Sequence, residues 1–446
     1  MYNFIVMEPI IALASAPMKS ALAIIRTSGD NIFRITDSIF TKKVSDLNQR
    51  QIFFGEIKDG DNPIDEVILL AYPSHSSNTG EDTVEICCHG SMLIVNQIIS
   101  LYISKGVRYA ARGEFTSRAF LNGKIDLIEA EAVNDLINAT SIEAKNLSYK
   151  SLKGEVSSLF NPIKEKIAYQ LALLETNIDF PEYEDIREIN YEKINEDCRL
   201  INQDLKVLIE NAEEGKIISE GIKVALIGEP NAGKSSLLNA LLNEDKAIVS
   251  SIPGTTRDIV EGDVNLRGLT LHLLDTAGYR ETDDYVEGIG VEKSKKTIEE
   301  ADLIILLIDY RNKDSEENKR LYSLTENKKR IIAYNKADLI SEHEEGIFIS
   351  ALNKDIKPLT DEIYRLFALS ESSFNRPSFN NARQLGILKK IYTYVDQVIE
   401  DALAEVPADL LSSTLLSAYN CCRELMGEDA THDLTDEIFS RFCVGK

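Results

Sequence analysis

The chain is predicted to be a multidomain α/β protein, on three observations. The apolar run Val224-Ala225-Leu226-Ile227 feeds Gly228-Glu229-Pro230-Asn231-Ala232-Gly233-Lys234-Ser235-Ser236, a G-x-x-x-x-G-K-[ST] loop of the kind that joins a strand to a helix. Further apolar runs of buried-strand length, at 271–274, 303–308 and 331–334, alternate with helical or loop-like sequence, which predicts a mostly parallel sheet covered on both faces. Helical periodicity on either side of this region makes it read as an insertion into a helical domain built from two separated segments.

Composition sets the outer limits. With 446 residues the chain exceeds one ordinary domain, and 43% hydrophobic against 27% charged residues is the balance of a soluble globular protein. No apolar run is long enough to span a bilayer, and Met1 is not followed by a signal-peptide pattern, so no membrane association and a cytoplasmic location are expected. The six cysteines show no zinc-knuckle spacing and are expected to be reduced. A net charge of −24 argues against a wholly basic nucleic-acid binder but leaves RNA open through a local patch.

Residues 1–123 read as an α/β domain. Strands are expected at 21–25, 67–70 and 83–87, with a helix capped by Asp30 and another through 92–99. From 124 to 218 the pattern is helical, broken at Asp179-Phe180-Pro181, and Glu213-Glu214-Gly215-Lys216 reads as a helix end. Residues 219–376 form the expected nucleotide domain, and 377–446 return to helix, with Leu388, Ile391, Val395 and Val398 at helical spacing. Cys421 and Cys422 are expected in a helix core. Cys443 is expected to be a spectator on a frayed tail.

The chemistry-bearing motifs cluster in 219–376. Backbone N–H groups of the loop, at the positive end of a helix dipole, suit a phosphate chain. Within it Ala232, Gly233 and Ser236 belong to the cradle, Lys234 is expected to reach the β- and γ-phosphates, and the Ser235 hydroxyl to bind magnesium. Gly254-Thr255-Thr256-Arg257-Asp258 follows at first-switch distance, where Thr256 offers a hydroxyl to magnesium. Asp275-Thr276-Ala277-Gly278 ends a strand, with the Asp near the metal's water and the Gly near the γ-phosphate. Asn335-Lys336-Ala337-Asp338 ends another. Its carboxylate can accept both N–H donors of a guanine edge, which adenine cannot match, and Ser350-Ala351 would buttress the base. GTP is the expected ligand.

Tyr279 stands where Ras-like GTPases carry a water-orienting Gln, so a residue of the acidic run 281–287 is expected in that role. Asn231 either stabilises the turn or helps hold a monovalent cation near the phosphates, in place of an arginine finger.

Taken with Thr79-Gly80-Glu81-Asp82, His89-Gly90, Gly113-Glu114-Phe115-Thr116, Arg118-Ala119-Phe120-Leu121-Asn122-Gly123-Lys124, Ile178-Asp179-Phe180-Pro181 and the terminal Phe442-Cys443-Val444-Gly445-Lys446, these motifs make the chain resemble the MnmE (TrmE) family of tRNA-modification GTPases over nearly its whole length. The resemblance implies an N-terminal folate-binding-like domain that forms a homodimer and binds 5-formyl-tetrahydrofolate or a related one-carbon folate through Arg26, Glu85, Lys124 and Lys446. It also implies potassium-dependent dimerisation of the G domains, with Asn231, Ser250, Ile252 and Thr255 as cation ligands and Glu287 orienting the water. Asn78 departs from the aromatic residue common before the Thr-Gly-Glu-Asp string, and Ser250 stands where a Thr is common.

The implied reaction adds an aminomethyl or carboxymethylaminomethyl group at C5 of the wobble uridine of certain tRNAs, together with the FAD-dependent protein MnmG (GidA), and Cys443 matches an essential cysteine. The reading weighed against it is a GTP-switched ribosome-assembly factor that binds RNA.

Overall fold

The computed structural model describes residues 8–179, 190–244, 260–274, 297–340, 345–367, 369–370, 372–429 and 432–446. The chain separates into two units, one of residues 1–134 with 423–446 and the other of 135–422.

In the first unit, six strands are present among the described residues: β1 (Ile10–Leu13), β2 (Leu22–Ser28), β3 (Gln51–Asp59), β4 (Asn62–Tyr72), β5 (Thr83–His89) and β6 (Arg108–Tyr109). They form one sheet in the order β3-β4-β5-β2-β1-β6, antiparallel except for the β1–β6 pair. Alternation places Ala23, Ile25, Val67, Leu69, Val84, Ile86 and Cys88 on the inner face, where they pack with Val95, Ile98, Ile99 and Tyr102 of the helix Met92–Ser104. The first short helix is Ile32–Asp37. Its cap position is Asn31, in the left-handed region, rather than Asp30 as the sequence suggested.

The expected frayed end is overturned. The helix His432–Ser440 leads into a tail that docks. Phe439 and Phe442 are buried with Leu127 and Ala130, and Val444 bridges Arg112 in antiparallel fashion. Gly113 N donates to Cys443 O at 3.3 Å and Phe115 N donates to Lys446 O at 3.2 Å. Burial of two phenylalanines outweighs the tail's conformational entropy, a gain that local sequence does not display.

The second unit holds the helices Ile142–Leu152, Glu155–Asp179, Tyr191–Glu220 and Ala382–Leu403 and most of Ala408–Met426. Tyr191–Glu220 and Ala382–Leu403 pack side by side, joined by bonds from Asn195 Nδ2 to Ile399 O and from Asn202 Nδ2 to Asp396 Oδ1. The helix end read at 213–216 is not there: the helix continues through Gly215 to Glu220. Gly215 is a packing position, since a Cβ would lie 2.4 Å from Phe379 O. Cys422 is buried and Cys421 half-buried on their helix.

Between these paired helices in sequence lie β7 (Ile222–Ile227), β8 (Val260–Leu266), β9 (Leu269–Leu274), β10 (Leu303–Asp309), β11 (Arg330–Asn335) and β12 (Ile347–Phe348). Their order is β12-β11-β10-β7-β9-β8, parallel except for β8 against β9. β10 is buried throughout, as expected of a strand covered on both faces. The C-terminal ends of β7, β10 and β11 thus adjoin, where open α/β sheets bind ligands. No helix among the described residues is long and apolar enough to cross a membrane.

Candidate functional site

The loop after β7 has its glycines for steric reasons. A Cβ on Gly228 would meet Leu307 O at 2.2 Å, so only glycine lets the loop lie against β10. Gly233 has φ +102°, and a Cβ there would meet Asn335 Nδ2 at 2.2 Å. Asn231 is also left-handed, at φ 62°. The loop turns into the helix Lys234–Glu244, whose N-terminus supplies partial positive charge. Lys234 Nζ donates to Gly228 O at 2.7 Å and Glu229 O at 2.9 Å, so the lysine folds back along its own loop. Burial lowers its pKa. Ser235 is exposed in the first helical turn and Ser236 half-buried.

The second loop, after β11, is tied to the first by one amide. Asn335 is 2% exposed; its Nδ2 donates to Ala232 O at 2.8 Å and its Oδ1 accepts from Ala351 N at 3.0 Å. Sequence reading assigned Asn335 to the nucleotide, and the geometry gives it a bracing position between three segments. Asp338 is exposed at the loop's tip, with Oδ1 accepting from Ser350 Oγ at 2.5 Å. Ser350 therefore aims the carboxylate, and Ala351 fixes Asn335. Lys336, left-handed at φ 64°, sends its amine to Asp309. Ser250, Ile252, Thr255, Thr256, Asp275, Thr276, Ala277, Gly278, Tyr279 and Glu287 lie outside the described residues.

A second candidate site lies in the first unit. Arg26 and Glu85 stand opposite each other on β2 and β5, and Arg26 Nε donates to Glu85 Oε1 at 2.8 Å. Arg26 Nη1 donates to Gly445 O at 3.1 Å, and its guanidinium lies 5.7 Å from the Phe115 ring centroid. Tyr72 donates to Glu85 Oε2 at 3.3 Å, and burial, then the Glu85 charge, raises the phenol's pKa. Arg26, Glu85 and the tail are thus brought together. Lys124 instead lies by Gly80, with Nζ 3.5 Å from His75 O. Cys443 is exposed, one residue before the bridge at Val444.

The Thr79-Gly80-Glu81-Asp82 string is largely a brace. The Thr79 hydroxyl joins Ser28 and Thr83, Glu81 pairs with Arg118, and Asp82 Oδ1 accepts from Ser74 N. Arg118 is 3% exposed and also pairs with Glu114. Burial pushes the Glu114 carboxyl up, but hydrogen bonds from Arg108, Ala111 N and Arg118 prevail and bring it down to about 2.

Comparison with known proteins shows the family to which the chain belongs. The MnmE helical domain profile matches residues 127–443, and the profile of the GTP-binding protein TrmE N-terminus matches 9–124. The tRNA modification GTPase MnmE of Clostridioides difficile is 40% identical over 98% of this chain and 99% of its own length. The MnmE of Bacillus subtilis is 38% identical over 98% and 99%. The chain belongs to the MnmE family of tRNA-modification GTPases. A solved structure of Aquifex aeolicus Era bound to GDP and aluminium fluoride matches at 28% identity over 39% of this chain and 66% of that one, with a TM-score of 0.27.

A GTPase of the MnmE family works on magnesium-bound nucleotide, and the Ser235 hydroxyl, an oxygen donor beside the phosphate loop, suits a hard cation that neutralises phosphate charge. Sequence reading missed Tyr72, Phe115 and Asp309, whose roles arise from cross-strand or cross-loop partners.

It also missed His272 on β9, three residues before Asp275. His272 Nδ1 lies 2.7 Å from Asp263 Oδ1 and Nε2 2.8 Å from Glu220 O, the end of the long helix entering this MnmE-type G domain. Both ring nitrogens face acceptors, so only the imidazolium donates to both. The Asp263 bond raises its pKa, against burial and the Lys223 charge on β7. Because the folded pKa is raised, the stabilisation is complete below the ordinary value of 6.5 and is lost as pH rises through the folded value. Melting temperature should therefore fall as pH rises above 6.5, and His272→Gln should flatten that slope. Equal slopes for the two proteins would remove His272 from the account.

Proposed function

We propose that this GTPase, with an FAD-dependent MnmG-type partner, installs an aminomethyl or carboxymethylaminomethyl group at C5 of the wobble uridine of certain tRNAs, using a tetrahydrofolate one-carbon unit. The observation that carries this reading is the docked tail. It brings the Gly445 carbonyl onto Arg26 and sets exposed Cys443 in the unit that holds the Arg26–Glu85 pair.

The donor set fits a folate. Arg26 offers N–H donors, Glu85 an acceptor, and half-buried Tyr72 aromatic surface, on a pair that stays partly open to solvent, while the buried Phe115 ring backs the Arg26 guanidinium. Folate, when bound, supplies the one-carbon unit. Arg26 and Glu85 hold and orient it, while Lys124 and Lys446 serve its anionic end. Cys443 acts on the reacting group.

In the G domain Lys234 binds the phosphates, Asp338 selects guanine, Thr256 joins Ser235 on magnesium, and Glu287 orients the water. Hydrolysis is switched on when two G domains meet around potassium held by Asn231, Ser250, Ile252 and Thr255. Asn231 supports this: it is exposed within the loop after β7, in a left-handed conformation.

The homodimer has support in the outer face of the first sheet, where Phe54, Ile68, Cys87 and Ile24 are successive cross-strand neighbours and Phe54, Ile68 and Ile24 are exposed. The cytoplasm is the location in which this reaction would meet its tRNA.

Nucleoside mass spectrometry of tRNA from a strain lacking the chain tests the function. Loss of the C5 substituent from wobble uridine is expected, and an unaltered nucleoside profile overturns it. GTP turnover should rise at least tenfold when potassium replaces sodium, an electrostatic effect of the size of one well-placed donor or less. Equal rates in the two salts would leave Asn231 as a turn residue.

A further inference from the structure

Asp309 ends β10, between the phosphate loop and the base loop. It is in register with Asn335 of β11, and it is 6% exposed. Three donors converge on its carboxylate besides the backbone N–H of Arg311. Arg311 Nε donates to Oδ1 at 2.9 Å, Arg311 Nη2 to Oδ2 at 2.7 Å, and Lys336 Nζ to Oδ2 at 2.8 Å. Lys336 starts on the far side of the asparagine and is left-handed, so its side chain must cross the C-terminal edge of the sheet from the end of β11 to the end of β10. That edge is where a nucleoside lies in this class of sheet.

We infer that Asp309 is a positioning residue for nucleotide recognition: it draws the Lys336 ammonium across the sheet edge, so that the lysine's methylene stem forms the floor under the base and ribose. Arg311 holds the carboxylate by a two-pronged bond and fixes the direction of the pull. The inference rests on the reading of 335–338 as the guanine loop.

One carboxylate here balances two cations. Without its charge, Lys336 and Arg311 repel one another, and the flexible lysine moves to water while the exposed arginine stays near its own turn. Asp309→Asn keeps the shape and the acceptor for Arg311 N, so it tests charge rather than packing. The hydrogen bonds at stake are charge-assisted, which makes a tenfold effect reasonable.

The experiment is displacement of a fluorescent GDP analogue by GDP and by ATP from the full chain. Asp309→Asn should raise the GDP Kd by about tenfold. Lys336→Met should raise it too, and the double variant should bind no more weakly than Lys336→Met alone, because Asp309 acts through the lysine. A GDP Kd within about twofold of the unaltered protein, or losses that multiply in the double variant, overturns the inference.

Arg311 is 52% exposed, so Arg311→Gln is expected to fold. It should weaken binding about threefold, again without further loss beside Lys336→Met, and it decides the matter if Asp309→Asn does not fold. Equal affinity of the unaltered protein for ATP and GDP would overturn the guanine reading itself, a result distinct from failure of Asp309→Asn alone.

Discussion

Gly233→Ala is expected to lower guanine-nucleotide affinity at least about a hundredfold while leaving the fold in place. The added methyl would fall 2.2 Å from Asn335 Nδ2, on a residue whose φ of +102° already disfavours any side chain. Asn335 has nowhere to retreat, being 2% exposed and bonded on one side to Ala232 O and on the other to Ala351 N. Either the amide bonds break, at about 1–3 kcal/mol for each buried group left unpaired, or the loop shifts away from its cradle. Strain in the backbone adds about 1–3 kcal/mol. Both routes dismantle the phosphate loop and the base loop together. Calorimetric titration with GDP measures the loss, and a melting curve shows that the fold survives. Retention of normal affinity would mean that the loop can relax around the methyl.

The next largest effect is expected from Gly445→Val, which should abolish tRNA modification and spare GTP turnover. Gly445 has φ +90°, and a Cβ there would lie 2.4 Å from Leu13 O and 2.9 Å from Ala14 Cα, both backbone atoms of the sheet and its exit. Backbone cannot step aside as a flexible side chain can. The tail must lift, which breaks the bond from Arg26 to Gly445 O and frees the segment that carries Cys443. Release of the last residues to carboxypeptidase reports the lifting, and nucleoside mass spectrometry reports the lost activity. Normal wobble uridines with a protease-sensitive tail would show that docking is dispensable for the chemistry.

What could be read from the chain beforehand depended on how local the physical demand was. The loop after β7 was legible because Gly228 and Gly233 meet demands that few residues other than glycine satisfy, and the loop after β11 because a polar string follows directly on an apolar strand that ends at Asn335. Short apolar runs likewise announced β2 and β4, and alternation announced β5. Gly215 misled for the same reason that the others informed. Glycine serves a helix end and a close helix crossing equally well, and only Phe379, far along the chain, distinguishes them. The bracing position of Asn335 and the Arg311 and Lys336 bonds on Asp309 depend on strands being adjacent, which no single segment encodes. The tail's docking depends on phenylalanine burial against Leu127 and Ala130, over 300 residues of intervening chain.

That same discontinuity governs the order in which the molecule can be completed during synthesis. Arg26 waits 419 positions for the carbonyl of Gly445. The first unit includes 423–446, so its sheet emerges from the ribosome long before its closing segment exists, whereas residues 135–422 are contiguous and can finish first. Protein truncated by a few C-terminal codons would therefore carry a finished nucleotide unit beside an N-terminal sheet that never receives its last contacts.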